Sequence, residues 1–158
     1  MSSPILARDI MVKRLITLSP ETNWHEAAKL LLKHHISGAP VVNEKNELVG
    51  MFSEQDMMRA LVDAAYDELP SSELRNYMSC DLYTINEDVD LLSIVQAFQN
   101  EKLRRLPVVR ERKLMGQLSR RDVIAAAVKL LEPAVVGRKS AILYLSGLRE
   151  PPPEAPLE

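Results

Sequence analysis

The chain has 158 residues, of which 46% are hydrophobic and 27% charged, and a formal net charge of −2. That length buries one good core or two small half-domains, and the charge balance excludes a basic nucleic-acid binder and a chain too polar to fold. The single cysteine, Cys80, excludes an intrachain disulfide and a cysteine-based metal site within one chain.

Met1 to Asp9 lacks the charged head and apolar run of a secretory signal, and no apolar stretch approaches the roughly 20 residues that span a bilayer. A cytoplasmic protein without membrane insertion is the expectation. Leu15-Ile16-Thr17-Leu18 reads as a short strand ended by Ser19-Pro20. Asn23 is a good N-cap for a helix carrying Trp24, Ala27, Ala28, Leu31 and Leu32 at helical spacing. Pro40-Val41-Val42 and Leu48 to Phe52 read as buried strands joined by the polar turn 43–47. Ser53 then opens a helix with Met57, Met58, Leu61, Val62 and Ala65 expected on its buried side. The unit is β-α-β-β-α.

The same order returns. Leu82-Tyr83-Thr84-Ile85 is a strand, Asp90 caps a helix, and Leu91, Ile94, Val95 and Phe98 form an apolar stripe. Pro107-Val108-Val109 and Leu114 to Leu118 make a hairpin, and Val123 to Leu131 a last helix. The offset between copies is 67 residues from Met11/Met78 to Val42/Val109 and 66 from Gly50/Gly116 to Asp56/Asp122. One residue is lost in the polar turn after Val109. A register kept so long marks a duplicated supersecondary unit. The organisation expected is repeat 1 over 1–68, repeat 2 over 69–132, and an extension over 133–158. In that extension Ala141 to Leu145 reads as an extra strand or docking segment, and the proline-rich 151–158 as a disordered tail.

Ser-x-x-Asp stands at the start of a helix twice, as Ser53/Asp56 and Ser119/Asp122. Taken singly, each is a capping box, and an acid in the first turn suits the helix dipole. Taken as a pair after glycine-bearing strands, they suit another chemistry. Helix N-termini present N–H groups to phosphate, and a carboxylate accepts both hydroxyls of a ribose. The adjacent His34-His35 point in different directions without a third ligand, and favourable charge at a helix C-terminus explains them better than a metal site. Trp24 reads as a packing anchor. No Walker loop, HExxH or supported Ser-His-Asp set is present, so no enzyme is expected.

Over residues 5 to 131 the chain resembles the CBS domain family, named for cystathionine β-synthase, in its tandem or Bateman form. Asp9-Ile10-Met11, Asn76-Tyr77-Met78, the stretches His35 to Val42 and Leu103 to Val109, and the two Gly-x-x-Ser-x-x-Asp segments carry the resemblance. It implies an α/β (α+β) fold in which two repeats pack with pseudo-twofold symmetry around two clefts for AMP, ADP, ATP or S-adenosylmethionine. Carried over by residue, the main cleft uses Ser119, Asp122, Arg105, Gln117 and Arg120 with Ile16, Ile36, Ser37 and Gly38. The second uses Ser53 and Asp56 with Tyr83, Leu103 and Arg104. The copies differ in charge: Arg104-Arg105 and Arg120-Arg121 in the second replace Ser37-Gly38 and Glu54-Gln55 in the first. Guanidinium groups pair bidentately with phosphate oxygens, which makes the Asp122 cleft the expected phosphate-bearing site. The Asp56 cleft is then weaker, empty or suited to a less charged adenosine ligand.

The resemblance implies a nucleotide-sensing regulatory module, needing no cofactor, that controls a separate partner protein by ligand-dependent conformational change. It also implies a homodimer joined through helices, for which Met57-Met58-Leu61 and Ile124-Ala127-Val128-Leu131 are available. The competing readings are an S-adenosylmethionine sensor and an interaction or scaffold protein without ligand. Nucleic-acid binding through the arginines is disfavoured by the net charge and the lack of neighbouring aromatics.

Overall fold

A computed structural model describes residues 3–66 and 72–135. The expected segments at 141–145 and 151–158, and most of the linker 67–72, lie outside the described residues. The elements are α1 (Ala7–Ile10), α2 (Trp24–Lys33), β1 (Gly38–Val42), β2 (Leu48–Ser53), α3 (Glu54–Tyr66), a 3-10 turn (Leu74–Asn76), β3 (Ile85–Asn86), α4 (Leu91–Glu101), β4 (Arg105–Arg110), β5 (Lys113–Ser119) and α5 (Arg120–Val135).

Helix starts follow the caps that the chain supplies. Asn23 Oδ1 accepts from His25 N at 2.8 Å, and Asp90 Oδ1 accepts from Ser93 N at 3.0 Å. Removing such an oxygen costs about 1 kcal/mol. Asn23→Ala should therefore lower the thermal midpoint by a few degrees and leave ligand response unchanged, which a melt with and without AMP reads directly. Helix α5 starts earlier and runs longer than the expected 123–131, passing Pro133 to end at Val135.

Both hairpins form. β1 and β2 pair antiparallel with Gly38 opposite Ser53, and a bulge falls between Val41 and Val42. β4 and β5 are joined by Glu111 and Arg112, whose φ values of 49° and 72° make a tight two-residue turn. Seven residues separate Val42 from Gly50 and six separate Val109 from Gly116, which is the one-residue change of repeat offset; the turn itself is shorter still because β4 and β5 extend to Arg110 and Lys113. The expected strand at Leu15–Leu18 is not one. It reduces to a single parallel bridge from Leu18 to Val41, with Leu18 N donating to Pro40 O at 3.0 Å and Val42 N donating to Leu18 O at 2.9 Å. Likewise Leu82–Ile85 contributes only Ile85 to β3.

The chain divides into two compact units, each built from separate stretches. Among the described residues, one holds 3–13, 85–108 and 116–135, and the other 14–66, 72–84 and 109–115. The core of the first includes Leu91, Ile94, Phe98, Leu106 and Leu118. In the second, Phe52, Leu31, Val41 and Leu74 are buried with Trp24. The Trp24 ring meets Tyr77 edge-on at 6.2 Å between centroids, as a packing anchor does.

In each unit a leading segment crosses a glycine-bearing strand. Val12 and Gln117 exchange two backbone hydrogen bonds of 2.9 and 3.0 Å, with Met11 over Gly116. Met51 and Ser79 exchange two of 2.9 and 2.8 Å, with Met78 over Gly50. Helix α3 departs from expectation: Met58 (62%), Leu61 (52%) and Val62 (55%) are exposed, and the buried residues are Asp56 and Ala60. Among the described residues no helix is long and apolar enough to cross a membrane.

Candidate functional site

Both Ser-x-x-Asp segments close as reciprocal capping boxes at the step from strand to helix. Ser53 N and Oγ donate to Asp56 Oδ2 at 2.9 and 3.0 Å, and Asp56 N reaches back to Ser53 Oγ at 3.5 Å. Ser119 N and Oγ both donate to Asp122 Oδ2 at 2.7 Å, and Asp122 N donates to Ser119 Oγ at 3.2 Å. The structural role of the motif is thus realised in each copy.

The remaining carboxylate oxygens differ. Asp56 Oδ1 accepts from Arg59 Nη2 at 2.9 Å and from Ser79 Oγ at 3.1 Å, and Asp56 is 4% exposed. The same Arg59 nitrogen donates to Tyr77 O at 2.6 Å. Asp122 is half-buried, and its Oδ1 accepts no hydrogen bond from the described residues. The unit around Asp122 carries Ala125 where the unit around Asp56 has Arg59, and Val12 where that unit has Ser79. Neither can donate from its side chain. Beside Asp122 lies a cavity of about 590 Å³ whose walls include Asp9, Ile10, Ala125 and Lys129.

A second acceptor lacks a donor. Along β5 the burial alternates, so Gln117 and Ser119 share the face opposite the core residues Leu114 and Leu118. Gln117 Oε1 is buried without a hydrogen-bond partner among the described residues. The corresponding residue of repeat 1 is Met51, which has no such need.

The other expected site residues fall within the units as follows. Arg120 Nε donates to Leu103 O at 2.9 Å, so this guanidinium is anchored to backbone beside the second box. Arg105 is half-buried and has a partner, while Arg104 is exposed. Gly38 lies opposite Ser53, and Ser37 O accepts from Glu54 N at 2.9 Å, which places both next to the first box. Ile16 and Ile36 are half-buried and Tyr83 is exposed, all three in the unit that holds Asp56. Arg59, Ser79, Asp9 and Lys129 were not anticipated. The signal for Arg59 was available as its mismatch with Ala125 in the aligned copies.

The model of the CBS domain matches residues 7–63 and 74–129. The chain belongs to the CBS domain family. It holds a tandem pair of these repeats, and such pairs are regulatory modules; the matched residues are those of the repeats and not of a catalytic domain. An uncharacterised protein of Methanocaldococcus jannaschii is 32% identical over 117 residues, 74% of this chain and 41% of that protein. The chain therefore spans well under half of that relative's length. Among solved structures, CBSX2 of Arabidopsis thaliana in complex with AMP superposes with a TM-score of 0.71 at 26% identity, covering 78% of this chain and 96% of that one. The CBS domain pair of protein MJ0100, in complex with 5′-methylthioadenosine and S-adenosyl-L-methionine, gives a TM-score of 0.67 at 26% identity over 80% and 98%.

Proposed function

We propose that this CBS pair is an adenosine-ligand sensor that holds AMP, ADP or ATP at Asp122 and passes the bound state to a partner protein. The observation that carries the reading is that Asp122 Oδ1 accepts no hydrogen bond from the described residues, on a carboxylate already fixed by Ser119 and edged by a cavity. Fixing one oxygen orients the other, so a ribose hydroxyl meets a preorganised acceptor. Gln117 Oε1, on the Ser119 face of β5, offers a second acceptor for a hydroxyl or an exocyclic amine. Arg105 and Arg120, in the unit that holds Asp122, supply positive charge for phosphate.

A second reading, S-adenosylmethionine in place of a nucleotide, is favoured by the ligand of the MJ0100 pair and by the anchoring of Arg120 on Leu103 O. A thermal-shift panel of AMP, ADP, ATP and S-adenosylmethionine decides. Ligand at 100 times its Kd stabilises by about 2.7 kcal/mol, a shift of several degrees. A flat panel would leave the interaction-module reading in possession. The exposed Met58, Leu61, Val62, Ile124 and Val128 suit a homodimer, for which light scattering gives the mass; a monomer at high concentration rejects it.

Gln117 yields a prediction of opposite signs. A buried acceptor without a donor costs about 1–3 kcal/mol. Gln117→Met, the residue of repeat 1, should raise the midpoint of the ligand-free protein by a few degrees. The same change should weaken AMP binding by about fivefold or more, since one ligand hydrogen bond is lost. A variant that loses stability and keeps its affinity would remove Gln117 from the site.

A further inference from the structure

The two boxes are alike in sequence and unlike in occupancy, and one side chain makes the difference. We infer that the Arg59 guanidinium is a plug that the chain itself supplies, closing the Asp56 position to an adenosine ligand, so that the chain takes one ligand, at Asp122. This rests on the reading above, in which the carboxylate of Ser-x-x-Asp receives the ribose.

Asp56 has no acceptor capacity to offer in the direction that repeat 2 leaves open. Its Oδ2 is taken by Ser53, as Oδ2 of Asp122 is taken by Ser119. Its Oδ1 is taken by the Arg59 guanidinium and the Ser79 hydroxyl, whereas Oδ1 of Asp122 accepts from none of the described residues. A guanidinium bonded to a carboxylate is held more strongly than a neutral hydroxyl, so a ribose competes poorly for this oxygen. Arg59 is also fastened at the far side, through Tyr77 O at 2.6 Å. Swinging it away breaks both bonds and leaves a buried carboxylate with less compensation.

The space tells the same story. At the repeat offset, Tyr77 corresponds to Ile10, Asp56 to Asp122 and Arg59 to Ala125. Ile10, Asp122 and Ala125 are walls of the 590 Å³ cavity. Around Asp122 these residues wall a cavity; around Asp56 an arginine spans their counterparts. The plug also explains why Asp56 is 4% exposed although it opens a surface helix.

The test is the number of ligands bound per chain. AMP and S-adenosylmethionine are titrated separately by calorimetry into the full chain, into Arg59→Ala and into Ala125→Arg, with circular dichroism as the folding control. Wild type should bind one equivalent, and Arg59→Ala two. Ala125→Arg, a change at an exposed helix position, should lose affinity at least tenfold because the new guanidinium takes Asp122 Oδ1. Two equivalents in wild type, or one in Arg59→Ala together with unchanged affinity in Ala125→Arg, overturns the plug. No binding of either probe by wild type instead rejects the sensor reading itself, and the one-ligand claim with it. Should Arg59→Ala fail to fold, Ala125→Arg alone decides, since an arginine that leaves binding intact there cannot be closing the other copy.

Discussion

Asp122→Ala should weaken AMP binding on the order of 100-fold, while Asp56→Ala leaves it within a few-fold of wild type and instead destabilises the fold. The first effect follows from hydrogen bonds between ribose hydroxyls and a charged acceptor, each worth about 1.5–3 kcal/mol, so that losing one or two removes roughly one to four decades of affinity, with two as the central value. Its cost to the fold is a capping box alone, about 1 kcal/mol. The second effect comes from a carboxylate that is 4% exposed and receives Ser53, Ser79 and Arg59. The usual 3–5 kcal/mol for breaking a buried pair overstates this loss, because Arg59 is 61% exposed and regains water when its partner goes. About 2 kcal/mol remains, a drop of roughly 5 °C for a chain of this size. Calorimetry and a thermal melt on the same two variants suffice. Equal losses of affinity in both would show that the two copies share the work, and would sink the asymmetry.

The features legible in the sequence are those decided locally. Asn23 and Asp90 cap their helices because a cap needs only the next two or three residues, and both hairpins stand where apolar runs flank polar turns. Errors arise where a distant partner decides. Leu15–Leu18 has the composition of a strand, yet its backbone finds one bridge, at Leu18. On α3 the apolar residues keep the helical period, but their stripe does not face the core. Met58, Leu61 and Val62 are exposed because Ala60 packs inward, and a stripe of apolar residues does not reveal which neighbour it will meet. The candidate site divides the same way. Ser-x-x-Asp was visible twice, and so was the arginine excess of the second copy. The bonds from Arg59 to Tyr77 O and from Ser79 to Asp56 join residues 18 and 23 positions apart, and only the fold brings them together.

The repeat also carries a graded test of how its segments interlock. Gly116→Ala should destabilise the protein strongly, by about 2–3 kcal/mol or more, and Gly50→Ala by less. A Cβ at Gly116 would sit 2.7 Å from Met11 Sδ and 2.9 Å from Val12 O; at Gly50 the corresponding distances are 2.6 Å to Met78 Sδ and 3.1 Å to Ser79 O. A methionine end swings away at small cost, whereas a carbonyl that belongs to a hydrogen-bonded bridge does not. At Gly116 the displaced carbonyl is the one that accepts from Gln117 N at 3.0 Å, so relief of the clash breaks the crossing of the leading segment over β5. At Gly50 the Ser79 carbonyl is bridged in the same way, accepting from Met51 N at 2.9 Å, but at 3.1 Å from the new Cβ it needs to give by only a few tenths of an ångström. The two double variants separate these causes. Met78→Ala should recover most of the Gly50→Ala loss, beyond its own cavity cost, because the side-chain clash dominates there. Met11→Ala should recover little of the Gly116→Ala loss, because the backbone contact persists. Since that crossing holds Gln117 in register, Gly116→Ala should also lose AMP affinity at temperatures where it is still folded, while Gly50→Ala keeps it. Equal rescue of both glycine variants by their methionine partners would show that the sulfur contacts, and not the backbone crossing, require glycine.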